Sequence, residues 1–291
     1  MPCELELCWG TARGAALPEL ITVAAASGYR SIAVRPSMYY DALAEGFTDG
    51  DLRARLDDAG VVVGIVDPLT AGLPGIPPAT DVPAAMRTFL SYGEDDCYTA
   101  AHGLAAPVVN IAHFMGGPQP AGRLADALGP MAERARARGV RLTLEFIPGT
   151  GIPDLPAALD LCRSVGAPNL GIMFDTWHFF RSGGTLADLA DLPPGVVFAA
   201  QVSDATVDAL GPTYVPMMDR LLPGQGTLPL VAILTALVAN HPDLRIGVEV
   251  FRQDLRRMGP DQAARTVADA IGPIIEQVAG GPAAGGAGPA V

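Results

Sequence analysis

Hydrophobic and polar positions divide the chain into two alternating kinds of segment. Short apolar runs rich in β-branched residues predict buried strands, and longer segments with apolar residues at helical spacing predict helices between them. The predicted strands are Glu4 to Trp9, Ser31 to Arg35, Val61 to Val66, Val108 to Ala112, Val140 to Phe146, Leu170 to Phe174, Val196 to Gln201 and Arg245 to Val250. The predicted helices are Leu17 to Gly28, Asp49 to Gly60, Ala84 to Ala106, Arg123 to Gly139, Leu155 to Gly166, Leu186 to Leu192, Leu228 to Asn240 and Asp261 to Val278.

This alternation predicts an α/β fold. Eight strand-helix units of roughly 30 residues each favour a closed (β/α)8 TIM barrel. An open, doubly wound sheet is the competing topology, but no Gly-x-Gly-x-x-Gly follows the first strand. Because no linker interrupts the alternation, we expect a single catalytic domain over residues 1–279. Residues 280–291 are almost entirely Gly, Ala and Pro, which predicts a disordered tail. Long loops are expected at 69–82 and 204–226.

Composition excludes several classes of function. The 291 residues carry a net charge of −12, whereas a nucleic-acid surface needs a basic face. All basic residues are arginine, so chemistry that depends on a lysine amine is excluded, including Schiff bases and the Walker phosphate loop. Neither a long apolar run nor a basic leader is present, which predicts a cytoplasmic protein without a membrane partner. Cys3, Cys8, Cys97 and Cys162 are expected to be free thiols.

Acidic or polar residues close four of the predicted strands. Glu145, Asp175, Gln201 and Glu249 stand at the ends of the fifth to eighth strands, and His178 follows Asp175 by three positions. In a barrel all these ends meet at one mouth, where three bare carboxylates would repel one another. One bound divalent metal ion would resolve the repulsion. Oxygen ligands favour Mg²⁺ or Mn²⁺, with Zn²⁺ or Co²⁺ also compatible.

These motifs resemble a known family. Leu-Glu-Phe at Glu145, Asp-Thr-Trp-His at Asp175, a polar residue on the seventh strand and Val-Glu-Val-Phe at Glu249 are similar to the xylose isomerase-like TIM barrels of the sugar phosphate isomerase/epimerase group. In that family the four matching positions hold a divalent metal, usually as Glu, Asp, His and Glu. Gln201 departs from this pattern. Members resembling 3-dehydroshikimate dehydratase carry glutamine there, and the segment from Arg220 to Gly226 resembles their Arg-x-x-Pro-Gly-Gln-Gly.

The resemblance implies an enzyme acting on a small polyhydroxylated carbonyl compound, such as a sugar, sugar acid or cyclitol. A metal that polarises the carbonyl acidifies the neighbouring carbon-bound proton, and Glu145 or Glu249 then serves as base, giving an isomerase or epimerase through a metal-stabilised enediolate. His178 is expected either to transfer protons or to fix Asp175. Loss of a β-hydroxyl instead would give a dehydratase of a cyclic hydroxy-ketone, such as 3-dehydroshikimate or an inosose. For that reaction, Asp67 stands where a histidine base is expected.

Further polar residues follow other strands. Arg35, His113, Arg181 and Arg220 are predicted to bind the substrate, with simple surface exposure as the alternative for the arginines. A non-catalytic sugar-binding barrel is a second interpretation from another class. An endonuclease is disfavoured because it needs a histidine-rich zinc site and a basic face. The sequence leaves the formation of homo-oligomers open.

Overall fold

The strands close into a barrel in the order in which they occur along the chain. The computed structural model describes residues 4–206 and 220–280. Within these residues, eight parallel strands pair successively, and β1 also pairs with β8 to complete the ring. This confirms the predicted single (β/α)8 domain. The strands are β1 (Leu5–Cys8), β2 (Ser31–Val34), β3 (Val62–Leu69), β4 (Val108–Ala112), β5 (Arg141–Glu145), β6 (Leu170–Asp175), β7 (Val197–Val202) and β8 (Ile246–Val248).

Helices cover the outside of the barrel and begin or end at recognisable signals. Thr48 and Asp51 form a capping box at the start of the third helix, which ends at Gly60 in the left-handed conformation. The described helices are α1 (Leu17–Ala26), α2 (Pro36–Ala44), α3 (Asp49–Ala59), α4 (Ala84–Arg87), α5 (Glu94–Gly103), α6 (Ala121–Ala137), α7 (Leu155–Val165), α8 (Thr176–Arg181), α9 (Leu186–Ala190), α10 (Leu230–Asn240), α11 (Gln253–Met258) and α12 (Pro260–Gly280).

The predicted continuous helix from Ala84 to Ala106 is wrong. The chain instead forms α4, a 3-10 turn over Thr88–Leu90, and α5. The new helix starts where the Gly93 amide donates to the Asp96 carboxylate at 2.8 Å. This break lets Phe89 pack against Trp9, with ring centroids 5.9 Å apart. Local capping and tertiary packing therefore outweigh the helical periodicity.

Three short helices were not predicted, and each follows a strand almost directly. These are α2, α8 and α11, which come after β2, β6 and β8. They lie at the carboxyl ends of the strands, so they shape the mouth of the barrel. The predicted loop at 204–226 lies partly outside the described residues, as does all of the predicted tail except Gly280, so the disorder of the tail stays a prediction.

The barrel interior is narrow and changes character along its axis. Its middle layer is a cluster of small and medium apolar side chains, comprising Cys8, Ala33, Ile65, Val108, Met173 and Ala199. Polar side chains occupy the interior on either side of the apolar layer.

Two further sequence features can be compared with the structure. Cys8, Cys97 and Cys162 are free thiols as predicted, and Cys3 lies outside the described residues. No helix in the described ranges combines the length and apolarity needed to cross a membrane.

Glu6 is a buried carboxyl group at the amino-terminal end of the barrel. It lies one interior position below Cys8, is 4% exposed, and accepts a hydrogen bond from the Ser31 hydroxyl at 2.6 Å. Burial raises the pKa of Glu6 to about 7, although the Ser31 hydroxyl and the charge of Arg245 act in the opposite direction. The stability linked to such a carboxyl group is fully present below its ordinary pKa of 4.5 and is lost as the pH rises from there through about 7.

Replacing Glu6 by glutamine is therefore expected to stabilise the protein at pH 8, by up to about 3 kcal/mol at about 1.36 kcal/mol per pKa unit. At pH 4 the two proteins should have nearly equal free energies of unfolding, because Glu6 is then protonated in both states. Urea unfolding at both pH values measures the difference. The same difference at pH 4 and pH 8 would show that ionisation of Glu6 is not its cause.

Candidate active site

The four predicted metal ligands lie at the carboxyl ends of neighbouring strands. Glu145 and Asp175 are the last residues of β5 and β6, Gln201 is the penultimate residue of β7, and Glu249 directly follows β8. Asp175 is in register with Gln201. All four side chains are buried, Asp175 completely. The barrel therefore brings together at one mouth residues that span more than a third of the chain.

Asp175 also starts the helix that carries His178. Its Oδ1 accepts hydrogen bonds from the amides of Trp177 at 2.7 Å and His178 at 3.0 Å, so the carboxylate is the N-cap of α8. This arrangement occupies one carboxylate oxygen with backbone donors and leaves Oδ2 for the cluster. The sequence Asp-Thr-Trp-His thus forms a strand end and the first turn of a helix, which returns the imidazole towards the barrel axis.

His178 lies within the carboxylate cluster. Its Nε2 is 3.2 Å from Glu145 Oε1 and 3.9 Å from Asp175 Oδ2. One potential ligand atom from each of these three residues lies within 4.8 Å of the other two. That spacing is close to the separation of ligands around a single divalent cation. Glu145, Asp175 and His178 therefore form a compact group suited to holding a metal.

Asp67 orients the amide of Gln201. Gln201 Nε2 donates to Asp67 Oδ2 at 3.2 Å, and because a carboxylate accepts hydrogen bonds, the amide oxygen faces away from it. Within the described ranges no donor reaches Gln201 Oε1, although this side chain is 2% exposed. A buried acceptor without a donor costs about 1–3 kcal/mol. A cation would satisfy this oxygen, so the amide fits the metal site.

Arg220 supplies positive charge to the same cluster. Its Nη1 lies 2.7 Å from Asp175 Oδ2 and 3.3 Å from Glu249 Oε2. The guanidinium carbon is 5.2 Å from the ring centroid of Trp177 and 5.0 Å from that of Phe251. The side chain is 3% exposed, so these two charge pairs are shielded from water. Arg220 is the predicted substrate-binding residue that lies deepest in the site.

Arg220 affects its two carboxylate partners differently. Burial alone would raise the pKa of Asp175, but the charges of Arg220 and His178, together with hydrogen bonds, hold it below its ordinary value. Burial raises the pKa of Glu249 well above its usual range, although Arg220 acts in the opposite direction. Asp175 is thus held as an anion, whereas Glu249 is the carboxyl group that more readily accepts a proton.

Asp67 and Asn110 belong to the site but were not among the predicted site residues. Asn110 Nδ2 donates to Asp67 Oδ1 at 2.7 Å and to Glu145 Oε2 at 2.8 Å, while its Oδ1 accepts from the Thr143 hydroxyl at 2.8 Å. Burial, followed by the charge of Glu145, raises the pKa of Asp67 to about 7. The sequence offered only a weak signal for these two residues. Asp67 is a polar residue near the end of apolar strand β3, and Asn110 is a polar residue within apolar strand β4.

The cavity at the mouth has a volume of about 50 Å³ and a lining of both polar and apolar residues. Its polar residues are Asp67, Glu145, His178, Arg220 and Glu249. Its apolar residues are Trp9, Pro68, Phe89, Ala112, Phe114, Ile147 and Phe251. Such a lining suits a small ligand with both polar and apolar groups.

The other predicted substrate-binding residues do not line this cavity. His113 Nε2 bonds to the Pro74 carbonyl at 2.7 Å, and its Nδ1 accepts from the Gly151 amide at 3.2 Å, so the ring joins two loops. Burial lowers the pKa of His113, which favours the neutral ring. Arg181 stacks on Trp177 at 5.0 Å, and Arg35 stacks on Trp9 at 4.7 Å. These arginines therefore lie behind aromatic residues at the mouth.

The Pro-Gly-Gln-Gly segment is held by Asp204. Its Oδ2 accepts from the amides of Gly224 at 3.0 Å and Gly226 at 2.9 Å, and its Oδ1 accepts from Leu228 at 3.1 Å. A Cβ atom at Gly226 would clash with this carboxylate. Asp204 also pairs through its backbone with Leu221, the residue after Arg220. The segment therefore fixes the backbone from which Arg220 reaches the cluster.

Comparison with known proteins agrees with this architecture. A 3-dehydroshikimate dehydratase from Pseudomonas aeruginosa is 34% identical over 149 residues, which cover 51% of this chain and 23% of that protein. An inosose isomerase from Bacillus velezensis is 26% identical over 155 residues, which cover 53% of this chain and 55% of that protein. The chain thus spans about half the length of the isomerase and less of the dehydratase. Both relatives are enzymes.

The fold has close structural counterparts. The crystal structure of an IOLI protein with a bound zinc atom superposes with a TM-score of 0.79 at 18% identity, covering 94% of this chain and 99% of that one. At this identity the likeness concerns the fold. A family model described as a xylose isomerase-like TIM barrel matches residues 21–273. By this match, and by its closed eight-stranded barrel, the chain belongs to the xylose isomerase-like TIM-barrel family.

Proposed function

We propose that the protein is a divalent-metal-dependent isomerase or epimerase of a small polyhydroxylated carbonyl compound. The observation that carries this proposal is the convergence of Glu145, Asp175, His178 and Glu249 in one buried cluster with a mixed polar and aromatic cavity. Inosose isomerase relatives and the family membership support a substrate of the sugar, sugar acid or cyclitol class.

Glu145, Asp175, Gln201 and Glu249 would hold the metal, with His178 within reach of two of them. When bound, the metal would polarise the substrate carbonyl and acidify the adjacent C–H bond. Three buried carboxyl groups, Asp67, Glu145 and Glu249, line this cavity, and Arg220 is the one arginine among the described residues of the lining. Asp175 lies beside the same arginine, so an added dication would offset the negative charge of the cluster. Mg²⁺ or Mn²⁺ suits the oxygen-rich set, while the imidazole and the zinc of the IOLI structure keep Zn²⁺ and Co²⁺ as candidates.

Proton transfer would fall to the chain's own carboxyl groups. Glu145 extends from β5 and Glu249 from the end of β8, and these strands are not neighbours in the barrel. The two carboxyl groups would therefore approach a substrate from different sides, one removing the carbon-bound proton and the other returning it. His178, at 3.2 Å from Glu145, would exchange a proton with a substrate oxygen. The aromatic residues of the cavity lining would help to exclude water from the reacting carbon.

A dehydratase of a cyclic hydroxy-ketone is the second candidate. The 34% identical dehydratase relative, Gln201 and the Pro-Gly-Gln-Gly segment favour it. The same removal of a carbon-bound proton would be followed by departure of the β-hydroxyl as water and formation of a C=C bond. Asp67, which faces the cavity, stands where the dehydratase resemblance implies a histidine. That substitution makes the isomerase the leading proposal.

The two candidates differ in their products. Incubation of the Mn²⁺-loaded protein with an inosose and with 3-dehydroshikimate in D₂O, followed by NMR and ultraviolet spectra, separates them. We expect deuterium at the carbon next to the carbonyl and an isomeric product without loss of water. A conjugated product with loss of water would instead identify a dehydratase. Absence of exchange with every bound ligand would indicate a non-catalytic binding barrel, and a sample stripped of metal serves as the control.

A further inference from the structure

A second cavity beside the candidate active site is lined by three arginines. It has a volume of about 290 Å³, and Arg13, Arg35 and Arg256 face it together with Trp9. No carboxylate is among the described residues that line it. Arg13 lies between β1 and α1, Arg35 directly follows β2, and Arg256 lies on α11 after β8. Because β8, β1 and β2 are adjacent in the barrel, the three side chains meet at the same mouth as the active site.

These arginines have no acidic partner in the part of the chain that the structure describes. None of them forms an ion pair or a side-chain hydrogen bond there, and the Nε atom of Arg35 is buried without an acceptor. Some arginines elsewhere in the described residues form ion pairs, as Arg134 does with Glu94 at 2.7 Å. In a protein with a net charge of −12, the grouping of three unpaired arginines around one cavity, with no carboxylate in its lining, is a specific feature.

The three charges act on one another. Burial and then the charge of Arg256 lower the pKa of Arg13, and burial and then the charge of Arg13 lower that of Arg35. The charge of Glu249 acts in the opposite direction on the pKa of Arg13, as does that of Asp41 on the pKa of Arg35, but both pKa values remain lowered. A bound anion would relieve the repulsion between the arginines, since a guanidinium binds carboxylate and phosphate oxygens through paired N–H groups.

Aromatic rings connect the two cavities. Arg35 lies 4.7 Å from the ring centroid of Trp9, and Arg13 lies 5.9 Å from that of Phe251. Trp9 and Phe251 also line the candidate active site and contact each other edge-on, with centroids 5.6 Å apart. These contacts are with the ring faces and are compatible with N–H donation to a ligand. The acidic cluster and the basic cavity are therefore neighbours that share Trp9.

We propose that the cavity lined by Arg13, Arg35 and Arg256 binds an oxyanion, namely a carboxylate or phosphate group carried by the substrate. The substrate would place its carbonyl and hydroxyl groups at the carboxylate cluster and its anionic substituent at the arginines. The assignment of this anion to the substrate rests on the proposed function. The oxyanion cavity itself does not, because it can be tested without turnover.

The first test is calorimetric titration of the 291-residue protein with inorganic phosphate at low ionic strength, where charge interactions are weakly screened. Arg13→Gln and Arg256→Gln are each expected to weaken phosphate binding about tenfold or more. This is the effect expected when one hydrogen bond between charged groups is lost. Arg257→Gln is the matched control, because Arg257 is the exposed next residue of α11 and does not line the cavity. Arg256 is also exposed, so its replacement should leave folding intact, which urea unfolding checks.

Absence of phosphate binding to the unaltered protein would overturn the proposal, and so would equal weakening by Arg257→Gln. The second test compares the anionic 3-dehydroshikimate with a neutral inosose. We expect Arg256→Gln to raise KM for the anionic compound about tenfold and to leave KM for the neutral compound unchanged. Equal KM changes for both would overturn the assignment to the substrate. Arginine-dependent phosphate binding by a protein that transforms no carbonyl compound would refute the proposed function while leaving the oxyanion cavity intact.

Discussion

Replacing Glu145 by glutamine is expected to reduce Mn²⁺ binding and turnover together. Glutamine preserves the size of the side chain and can still accept the hydrogen bond from Asn110 Nδ2, which is 2.8 Å from Glu145 Oε2. It lacks the negative charge that would hold the metal and cannot take up a proton from carbon. Loss of a general acid or base typically costs about 10²–10⁴-fold in rate. Loss of a residue that only hydrogen-bonds to a metal ligand typically weakens metal binding about 10–100-fold. Loss of a ligand's charge should weaken Mn²⁺ binding at least as much.

Calorimetric titration with Mn²⁺ and the rate of proton exchange measure these two effects separately. Glu133→Gln is the control, because it makes the same chemical change on the exposed face of α6. Unaltered Mn²⁺ affinity in Glu145→Gln would remove Glu145 from the ligand set. Unaltered exchange in the presence of saturating Mn²⁺ would show that another group removes the proton, and Glu249→Gln would then be the variant to test.

Replacing Arg220 by methionine is expected to destabilise the metal-free protein by about 3–5 kcal/mol, the usual cost of removing one partner from a buried charge pair. Methionine fills much of the same volume and keeps contact with Trp177 and Phe251, so the main change is loss of charge. Arg220 Nη1 lies 2.7 Å from Asp175, which is completely buried, and 3.3 Å from Glu249. Both carboxyl groups would lose this positive partner. Saturating Mn²⁺ should restore much of the stability, because a ligand that binds only the folded state stabilises it.

Urea unfolding with and without Mn²⁺ measures this effect. Arg134→Met is the control, since its ion pair with Glu94 lies at the surface, where such pairs contribute at most about 1 kcal/mol. The pKa of Asp175 is held low in the folded protein partly by Arg220, and this contribution to stability is lost as the pH falls through that pKa. The difference in the free energy of unfolding between Arg220→Met and the unaltered protein should therefore become smaller at acidic pH. An unchanged unfolding midpoint at neutral pH would contradict the role assigned to Arg220.

The arginine cavity and the carboxylate cluster together define a charge pattern across the mouth. Glu145 and Glu249 line the cavity that contains Trp9 and Phe251, and Arg13 and Arg35 line the neighbouring cavity, which shares Trp9. A substrate with an anionic end would be oriented by this pattern before any metal contact forms. A neutral polyol would lack that orientation. The distribution of charge therefore narrows the proposed substrate class within a family that offers many reactions on one fold.

Strand-level features of the fold could be predicted from the sequence because they are local. Each buried strand is an uninterrupted apolar run, and parallel strands in a barrel all end at one mouth. Glu145, Asp175 and Glu249 could be selected for that reason alone. The helix predicted from Ala84 to Ala106 was wrong because its interruption depends on a cap at Gly93 and on the packing of Phe89 against Trp9, a residue 80 positions away.

The sequence by itself determined the barrel and the set of carboxyl groups at the strand ends, because both depend on the periodicity of apolar residues. Its composition also excluded reactions that need a lysine amine. Only the tertiary structure decided which groups touch. It brought Arg220 to Asp175 across 45 residues, set Asn110 between Asp67 and Glu145, and assembled the arginine cavity by pairing β8 with β1. These contacts join residues far apart in the chain. The spacing of residues along the sequence does not specify these contacts, because they form only when the strands pair in the closed barrel.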